Sequence, residues 1–313
     1  MFLGVFVGDA LGSNVEGWTA SQIAKTHGRI MEIPADAQST DDWQLTRAVA
    51  ETMIAAGRID MDALAEAHVT AYRQSHDRWG PTTKEAVRRL MAGKPWSESG
   101  LIGGIGNGVV MKIAPVAAYC STLDDPQARA EAHRAVVMFA AMTHRNRLAI
   151  QASLAHVAAV EHCLRTAPAD FHQHRFVDAV IAQSEQAARL VPPEPVVFED
   201  LSPRLRLLHG FRDLDAARVI ADFRGNSYVL NSLPFTYAFF LRQPFSFETL
   251  LDIVNAGGDT DTNASMTGAL LGALNGLAVF PRRLIRQVSP ARLAEVLTVA
   301  DRFTDRFASK ETS

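Results

Sequence analysis

Leu148-Ala-Ile-Gln-Ala-Ser-Leu-Ala-His-Val-Ala-Ala-Val-Glu-His-Cys-Leu164 repeats its apolar residues at spacings of three and four. That period places them on one face of a helix, which a strand's period of two cannot do. The same pattern runs through Asp62–Tyr72, Ala128–Met142 and Val177–Leu190, and short alternating runs are scarce, so the fold class is all-α. Gly57, Gly80-Pro81, and Gly93 with Pro95 stand where helices are expected to stop. Val191-Pro-Pro-Glu-Pro-Val196, with Pro203 beyond it, is the strongest linker signal. Helical patterns of the same kind resume after it, so it reads as a surface connection near 191–203 inside one domain spanning 1–313.

The chain has 313 residues, 48% hydrophobic and 21% charged, with 31 Lys+Arg against 34 Asp+Glu and a formal net charge of −3. A chain this long buries roughly 75% of the surface its unfolded form exposes, so it needs neither disulfides nor a structural metal to hold together. The balanced charge and the lack of a long basic run exclude an electrostatic footprint for nucleic acid or an anionic membrane. Two cysteines, Cys120 and Cys163, lie in apolar helical patterns without zinc spacing, which points to a reducing, cytoplasmic setting. The apolar start Met1–Gly8 lacks a basic region and meets Asp9 too soon to read as a signal peptide or membrane span.

Two stripes of small residues recur every four positions: Gly4, Gly8 and Gly12 near the N-terminus, and Ala264, Gly268, Gly272 and Gly276 near the C-terminus. Glycine costs up to about 1 kcal/mol per helical position relative to alanine, so repeated stripes predict closely approaching backbones. Both stripes adjoin carboxylates, Asp9 and Glu16 in one case and Asp259 and Asp261 in the other. Ser39-Thr40-Asp41-Asp42 leads into a helical pattern and is explicable as a capped helix start. Gly257-Gly258-Asp259-Thr260-Asp261-Thr262 is less easily explained that way. Residues two apart do not share a helix face, so Asp259, Asp261 and Thr262 can converge only from an irregular turn. Together the two runs supply four carboxylates and hydroxyls, a hard-oxygen donor set suited to Mg²⁺, Mn²⁺ or Ca²⁺ rather than zinc. Four clustered carboxylates repel one another unless compensated, and two divalent ions about 3.5–4 Å apart would neutralise them.

Gly103-Gly104-Ile105-Gly106-Asn107-Gly108 is neither a P-loop nor a dinucleotide fingerprint. As a glycine-rich turn opening a helix it would still present backbone N–H groups to a phosphate or diphosphate. His144 lies between two helical patterns, where its ring can face a cleft, and His172-x-His174 sits in a polar stretch read as surface. Trp18, Trp79, Tyr228 and Phe235 are the aromatics able to stack on a base, with core or rim packing the default for each.

As a set these segments resemble the ADP-ribosylglycohydrolase family. The matching stretches are Gly8-Asp9-Ala10-Leu11-Gly12 with Val15-Glu16-Gly17, Thr40-Asp41-Asp42, Gly106-Asn107-Gly108 with Met111 and Ala114-Pro115, Thr143-His144, and Gly257–Thr262. They occur in the family's order from residue 8 to about residue 276. The resemblance implies an orthogonally packed multi-helix fold with two Mg²⁺ or Mn²⁺ ions, cleaving the glycosidic bond between ADP-ribose and an acceptor on a protein or small molecule and releasing ADP-ribose. Carried over by position, Thr40, Asp41, Asp42, Asp259, Asp261 and Thr262 would be metal ligands. Glu16 would gate or activate water, with Asp41 and Asp42 as further catalytic carboxylates. Gly104, Ile105, Gly106, Asn107 and Gly108 would meet the diphosphate, His144 the ribose or phosphate side, and Tyr228 the substrate cleft. ADP-ribosylated arginine on protein is the acceptor that the family analogy favours, with serine, a nucleic-acid base or a small metabolite as other acceptors.

Two departures stand out, because Trp43 follows Thr40-Asp41-Asp42 where a threonine is common and Lys112 stands where an arginine is common. They are expected to reshape the acceptor side of the cleft. Two other readings remain open. One is an ADP-ribose-binding protein without hydrolase activity, against which the intact acidic set argues. The other is an isoprenoid-type diphosphate enzyme, whose D-D-x-x-D run is not completed after Asp42.

Overall fold

The computed structural model describes residues 1–34, 39–190, 199–210 and 215–308. Its first helices are α1 (Phe2–Gly12), α2 (Ala20–His27), α3 (Asp41–Ala56), α4 (Met61–Gln74), α5 (Pro81–Met91) and α6 (Trp96–Ser99). There follow α7 (Ala114–Ser121), α8 (Pro126–Thr143), α9 (Arg147–Arg165), α10 (Gln173–Leu190), α11 (Leu201–Arg206) and α12 (Ala216–Phe223). The last are α13 (Val229–Arg242), α14 (Glu248–Asn255), α15 (Thr260–Asn275), α16 (Arg282–Ile285) and α17 (Pro290–Phe307). Among the described residues there is no strand, only isolated bridges at Thr19 and Gly257, Leu101 and His144, and Gly106 and Tyr228. The all-α reading therefore holds, with each quoted helical pattern inside α4, α8, α9 or α10.

Helices α1, α13 and α15 are buried on nearly every face, the mark of a core helix rather than a surface one. Of these, α1 and α15 come from opposite ends of the chain and pack along each other. The glycine stripes make this possible. A Cβ on Gly4 would stand 1.9 Å from the carbonyl oxygen of Gly268, and one on Gly8 would stand 2.1 Å from that of Ala264. A side chain larger than hydrogen at either place would drive the helices apart. Around this pair α9 forms a second buried axis, capped by Asn146, whose side chain accepts from Ala149 N–H at 2.9 Å, and packed against α7, α8, α10, α13 and α15.

Several expectations change in detail. Gly80-Pro81 starts a helix instead of ending one: Gly80 is the N-cap of α5 and Pro81 its first residue, where a missing N–H costs nothing. Gly57 and Gly93 do follow helices, at φ +71° and +86°. The connection near 191–203 is only partly a connection, since α11 begins at Leu201 and holds Pro203 in its first turn; residues 191–198 lie outside the described set. No helix opens directly from the Gly103–Gly108 run, because residues 109–112 form turns and α7 begins at Ala114.

Candidate active site

Asp41 and Asp42 occupy the first turn of α3, behind the N-cap Thr40, whose hydroxyl accepts from Asp42 N–H at 3.3 Å. Asp259 is the N-cap of α15, and Asp261 and Thr262 lie in its first turn. The irregular turn expected before them is made by Gly257 and Gly258, at φ +76° and +91°. A Cβ on Gly258 would also lie 2.2 Å from the carbonyl oxygen of Gly225, so the turn is open to glycine alone. The two helix starts meet: Thr262 Oγ1 donates to Asp42 Oδ2 at 3.1 Å, joining positions 220 residues apart.

Asp9, on α1, completes the junction. Its buried carboxylate accepts the backbone N–H of Thr40 at 2.9 and 3.0 Å and that of Trp43 at 3.0 Å, capping α3 from another helix. Sequence reasoning noted Asp9 without giving it this role, because a cap contributed by a distant helix leaves no local spacing to read.

Five buried aspartates thus crowd one junction, and burial raises the carboxyl pKa of each. Asp9 is pushed from 3.8 to about 7 and Asp41 to about 6. Asp42 and Asp261 are raised well above the ordinary value, first by burial and then by neighbouring carboxylates, and Asp259 is raised by burial against its hydrogen bond from Asn107. Asp42 Oδ1 is buried with no partner at hydrogen-bonding distance, although the Ser265 hydroxyl is close enough to favour its charge. An orphaned carboxylate oxygen among mutually repelling neighbours is costly unless a cation completes it. The donor set of carboxylates and hydroxyls fits a hard divalent ion.

A cavity of about 390 Å³ opens onto this junction. Asp41, Asp259, Asp261 and Thr262 reach its wall, as do Glu16, Ile105, Gly106, Asn107, Gly108, His144 and Tyr228. Three expected residues do not. Thr40 and Asp42 lie deeper, at 4% and 1% exposure. Gly104 is buried behind the loop, its carbonyl accepting from Asn146 Nδ2.

Glu16 stands at the rim, half exposed, on a turn fastened by Gly17 N–H to Gly258 O and Gly258 N–H to Trp18 O, both 2.7 Å. Its carboxylate, with those of Asp259 and Asp261, offers oxygens within 4.8 Å of one another. Arg78, which the sequence did not single out, donates to Ser13 O at 2.8 Å and to Glu16 at 3.2 Å and lies 3.9 Å from Asp261. Asn107 belongs to the glycine-rich loop, yet its side chain serves the acids, donating to Asp259 Oδ2 at 2.8 Å and to Ser232 Oγ at 3.0 Å. His144 is buried, with Nδ1 2.9 Å from Thr143 Oγ1. Burial first and Lys112 second lower its pKa to about 3, which keeps the ring neutral. Tyr228 caps α13, paired through its backbone with Gly106.

Neither departure lines the cleft. The Trp43 ring turns away from it, edge-on to Phe6 at 5.8 Å, with Nε1–H donated to Glu295 on α17 at 2.9 Å. Lys112 is wholly buried outside the cavity wall, its Nζ 6.0 Å over the Phe139 ring and without a hydrogen-bond partner. Burial lowers its pKa to about 7, while nearby Asp41 favours its charge.

The ADP-ribosylglycohydrolase family model matches residues 1–312. An ADP-ribosyl-[dinitrogen reductase] glycohydrolase from Rhodospirillum rubrum is 27% identical over 90% of this chain and 86% of its own. ADP-ribosylhydrolase ARH3 of Mus musculus is 23% identical over 89% and 83%. A solved structure described as an ADP-ribosylglycohydrolase-related protein complex superposes with a TM-score of 0.72 at 25% identity, covering 97% of this chain and 95% of that one. Carboxylates from both ends of the chain, gathered at one cleft in a helical fold matched along its whole length, establish that this chain belongs to the ADP-ribosylglycohydrolase family of enzymes that hydrolyse ADP-ribose linkages.

Proposed function

We propose that the chain is a metal-dependent hydrolase that removes ADP-ribose from arginine on protein, using two Mg²⁺ or Mn²⁺ ions. The observation that carries the metal dependence is the meeting of the α3 and α15 starts, with five buried aspartates and an unpartnered Asp42 oxygen. Asp41, Asp42, Asp259 and Asp261, with the Thr40 and Thr262 hydroxyls, would hold the ions. Bound there, the ions would offset the carboxylate charge and provide Lewis acidity for the ribose hydroxyls and a water.

The remaining steps belong to the chain's own groups. Glu16, held at the rim by Arg78, moves a proton between the attacking water and the leaving acceptor as the glycosidic bond breaks through an oxocarbenium-like state. The Ile105–Gly108 backbone cradles the diphosphate, neutral His144 orients the ribose or phosphate side, and the Tyr228 ring borders the substrate cleft. The arginine acceptor rests on family analogy, and a protein acceptor is consistent with the name of the Rhodospirillum rubrum relative, which acts on ADP-ribosyl-[dinitrogen reductase]. We further propose one domain across 1–313, supported by α1 and α15 packing from opposite ends, and a cytoplasmic setting, supported by two buried free thiols. No described helix is long and apolar enough to cross a membrane.

The test is release of free ADP-ribose from ADP-ribosyl-arginine and ADP-ribosyl-serine peptides with Mg²⁺, Mn²⁺ or EDTA. Metal-dependent release from the arginine peptide is expected. Release in EDTA would overturn the metal assignment, and release from serine alone would overturn the acceptor. Asp259→Ala and Asp261→Ala should each lower bound metal and abolish release, whereas Glu16→Gln should slow release with metal content unchanged.

A further inference from the structure

Away from the cleft, two histidines that the proposed reaction does not use come together on the surface. His174 lies in the first turn of α10, and His209 lies in the 3₁₀ turn Leu207–Gly210. Their Nδ1 atoms are 3.2 Å apart, and the ring planes are inclined by only 16°. His209 Nε2 is 3.2 Å from Asp178 Oδ1, one helical turn beyond His174 on α10. None of the three lines the 390 Å³ cavity.

The proton positions follow from the chemistry of the pair. With Nε2–H given to Asp178, His209 keeps a bare lone pair on Nδ1, and His174 must donate Nδ1–H across the 3.2 Å contact. A cation between the rings would replace that shared proton, taking both Nδ1 lone pairs while the His174 proton sits on Nε2. The separation suits this exchange once both rings turn, because at a centroid distance of 5.4 Å the two lone pairs face each other instead of converging on one point. Two nitrogens bound at zinc distances span about 3.4 Å at a tetrahedral angle and about 2.9 Å at a right angle, which brackets the observed contact. A carboxylate on the distal nitrogen of a ligating histidine is the usual outer support, fixing the tautomer and raising basicity.

We propose that His174 and His209, supported by Asp178, form a second metal site for a borderline divalent ion of the Zn²⁺, Ni²⁺ or Cu²⁺ class, completed by water. Its chemistry is distinct from the oxygen-lined cleft, because two imidazole nitrogens select against Mg²⁺ and Ca²⁺. Occupied, the site clamps the start of α10 to the 207–210 turn, adding to the ring contact and the His209–Asp178 contact that already join them.

The experiment uses the full chain in excess Mg²⁺, with one equivalent of Cu²⁺ read by electron paramagnetic resonance and Zn²⁺ read by calorimetry. Nitrogen hyperfine structure from two imidazoles is expected, lost in His174→Ala and in His209→Ala. Each of those variants should bind one Zn²⁺ equivalent fewer than the wild type, with an unchanged circular dichroism spectrum to certify the fold. Asp178→Asn should keep the stoichiometry and weaken Zn²⁺ binding about 10–100-fold. Equal Zn²⁺ stoichiometry in the wild type and both histidine variants, or a copper signal with oxygen ligands only, would overturn the proposal.

Discussion

The seam between α1 and α15 and the acidic junction one turn beyond it, where the start of α3 joins the same two helices, solve opposite problems. Along the seam, Gly4, Gly8 and Gly268 bring backbones to a distance where a single methyl would collide with a carbonyl oxygen. Close packing rewards that contact. At the junction, Asp9, Asp42, Asp259 and Asp261 are buried almost completely and burial pushes every one of them toward the protonated form. The seam is the stabilising part and the junction the costly one. The glycine stripes position the carboxylates by letting two chain ends interlock, and the stability gained along the seam holds together charges that would otherwise separate.

The hardest blow to the seam is Gly268→Val. Its Cβ would stand 2.0 Å from the carbonyl oxygen of Gly4, a backbone atom that cannot move without shifting α1. A loss of more than about 3 kcal/mol is expected in denaturant unfolding, enough to unfold a marginal domain. Near-wild-type stability would mean that the helices can slide apart without cost.

The junction should respond to pH in the opposite sense from an ordinary set of paired carboxylates. Asp9 and Asp41 have folded pKa values of about 7 and about 6 against 3.8 for an unperturbed aspartate. Between those values the folded chain holds protons that the unfolded chain has released, so stability falls as pH rises through that window. The buried neutral rings of His68, His144 and His156, with pKa values lowered to about 3, act in the opposite direction. In EDTA the melting temperature of the wild type relative to Asp9→Asn should therefore be higher at about pH 5.5 than at about pH 8. Mg²⁺ or Mn²⁺ should raise it most at the higher value, where the carboxylates are free to bind. A metal-free wild type that gains melting temperature relative to Asp9→Asn from the lower to the higher pH would contradict the account of the junction as the strained region.

The smallest effect tests whether Trp43 belongs to scaffold or cleft. Trp43→Phe removes the Nε1–H···Glu295 bond and some volume beside Phe6, costing about 1–3 kcal/mol. Turnover per folded molecule should not change, because the ring faces α17. A changed acceptor preference would return Trp43 to the cleft.

Much of this was legible beforehand for a definite reason. The 3.6-residue period declares helices wherever one face is buried, and α8, α9 and α10 appear where that period ran. The acid-bearing runs were legible because Asp41-Asp42 and Asp259-x-Asp261 are dense in one ligand chemistry. Capping, by contrast, misled at Gly80-Pro81, since the same pair can close one helix or open the next and only the neighbouring packing decides.

Sequence by itself determined the helical class, the two small-residue stripes and the inventory of hard oxygen donors, all properties of composition and local spacing. Tertiary structure alone decided who meets whom. It gave Asp9 to the α3 N-terminus, turned Asn107 from the loop to Asp259, set Arg78 beside Glu16, sent Trp43 away from the cleft, and joined His174 to His209. Each of those partners lies 31 or more residues away along the chain, and a contact at that range is fixed by how helices pack, which no local period encodes.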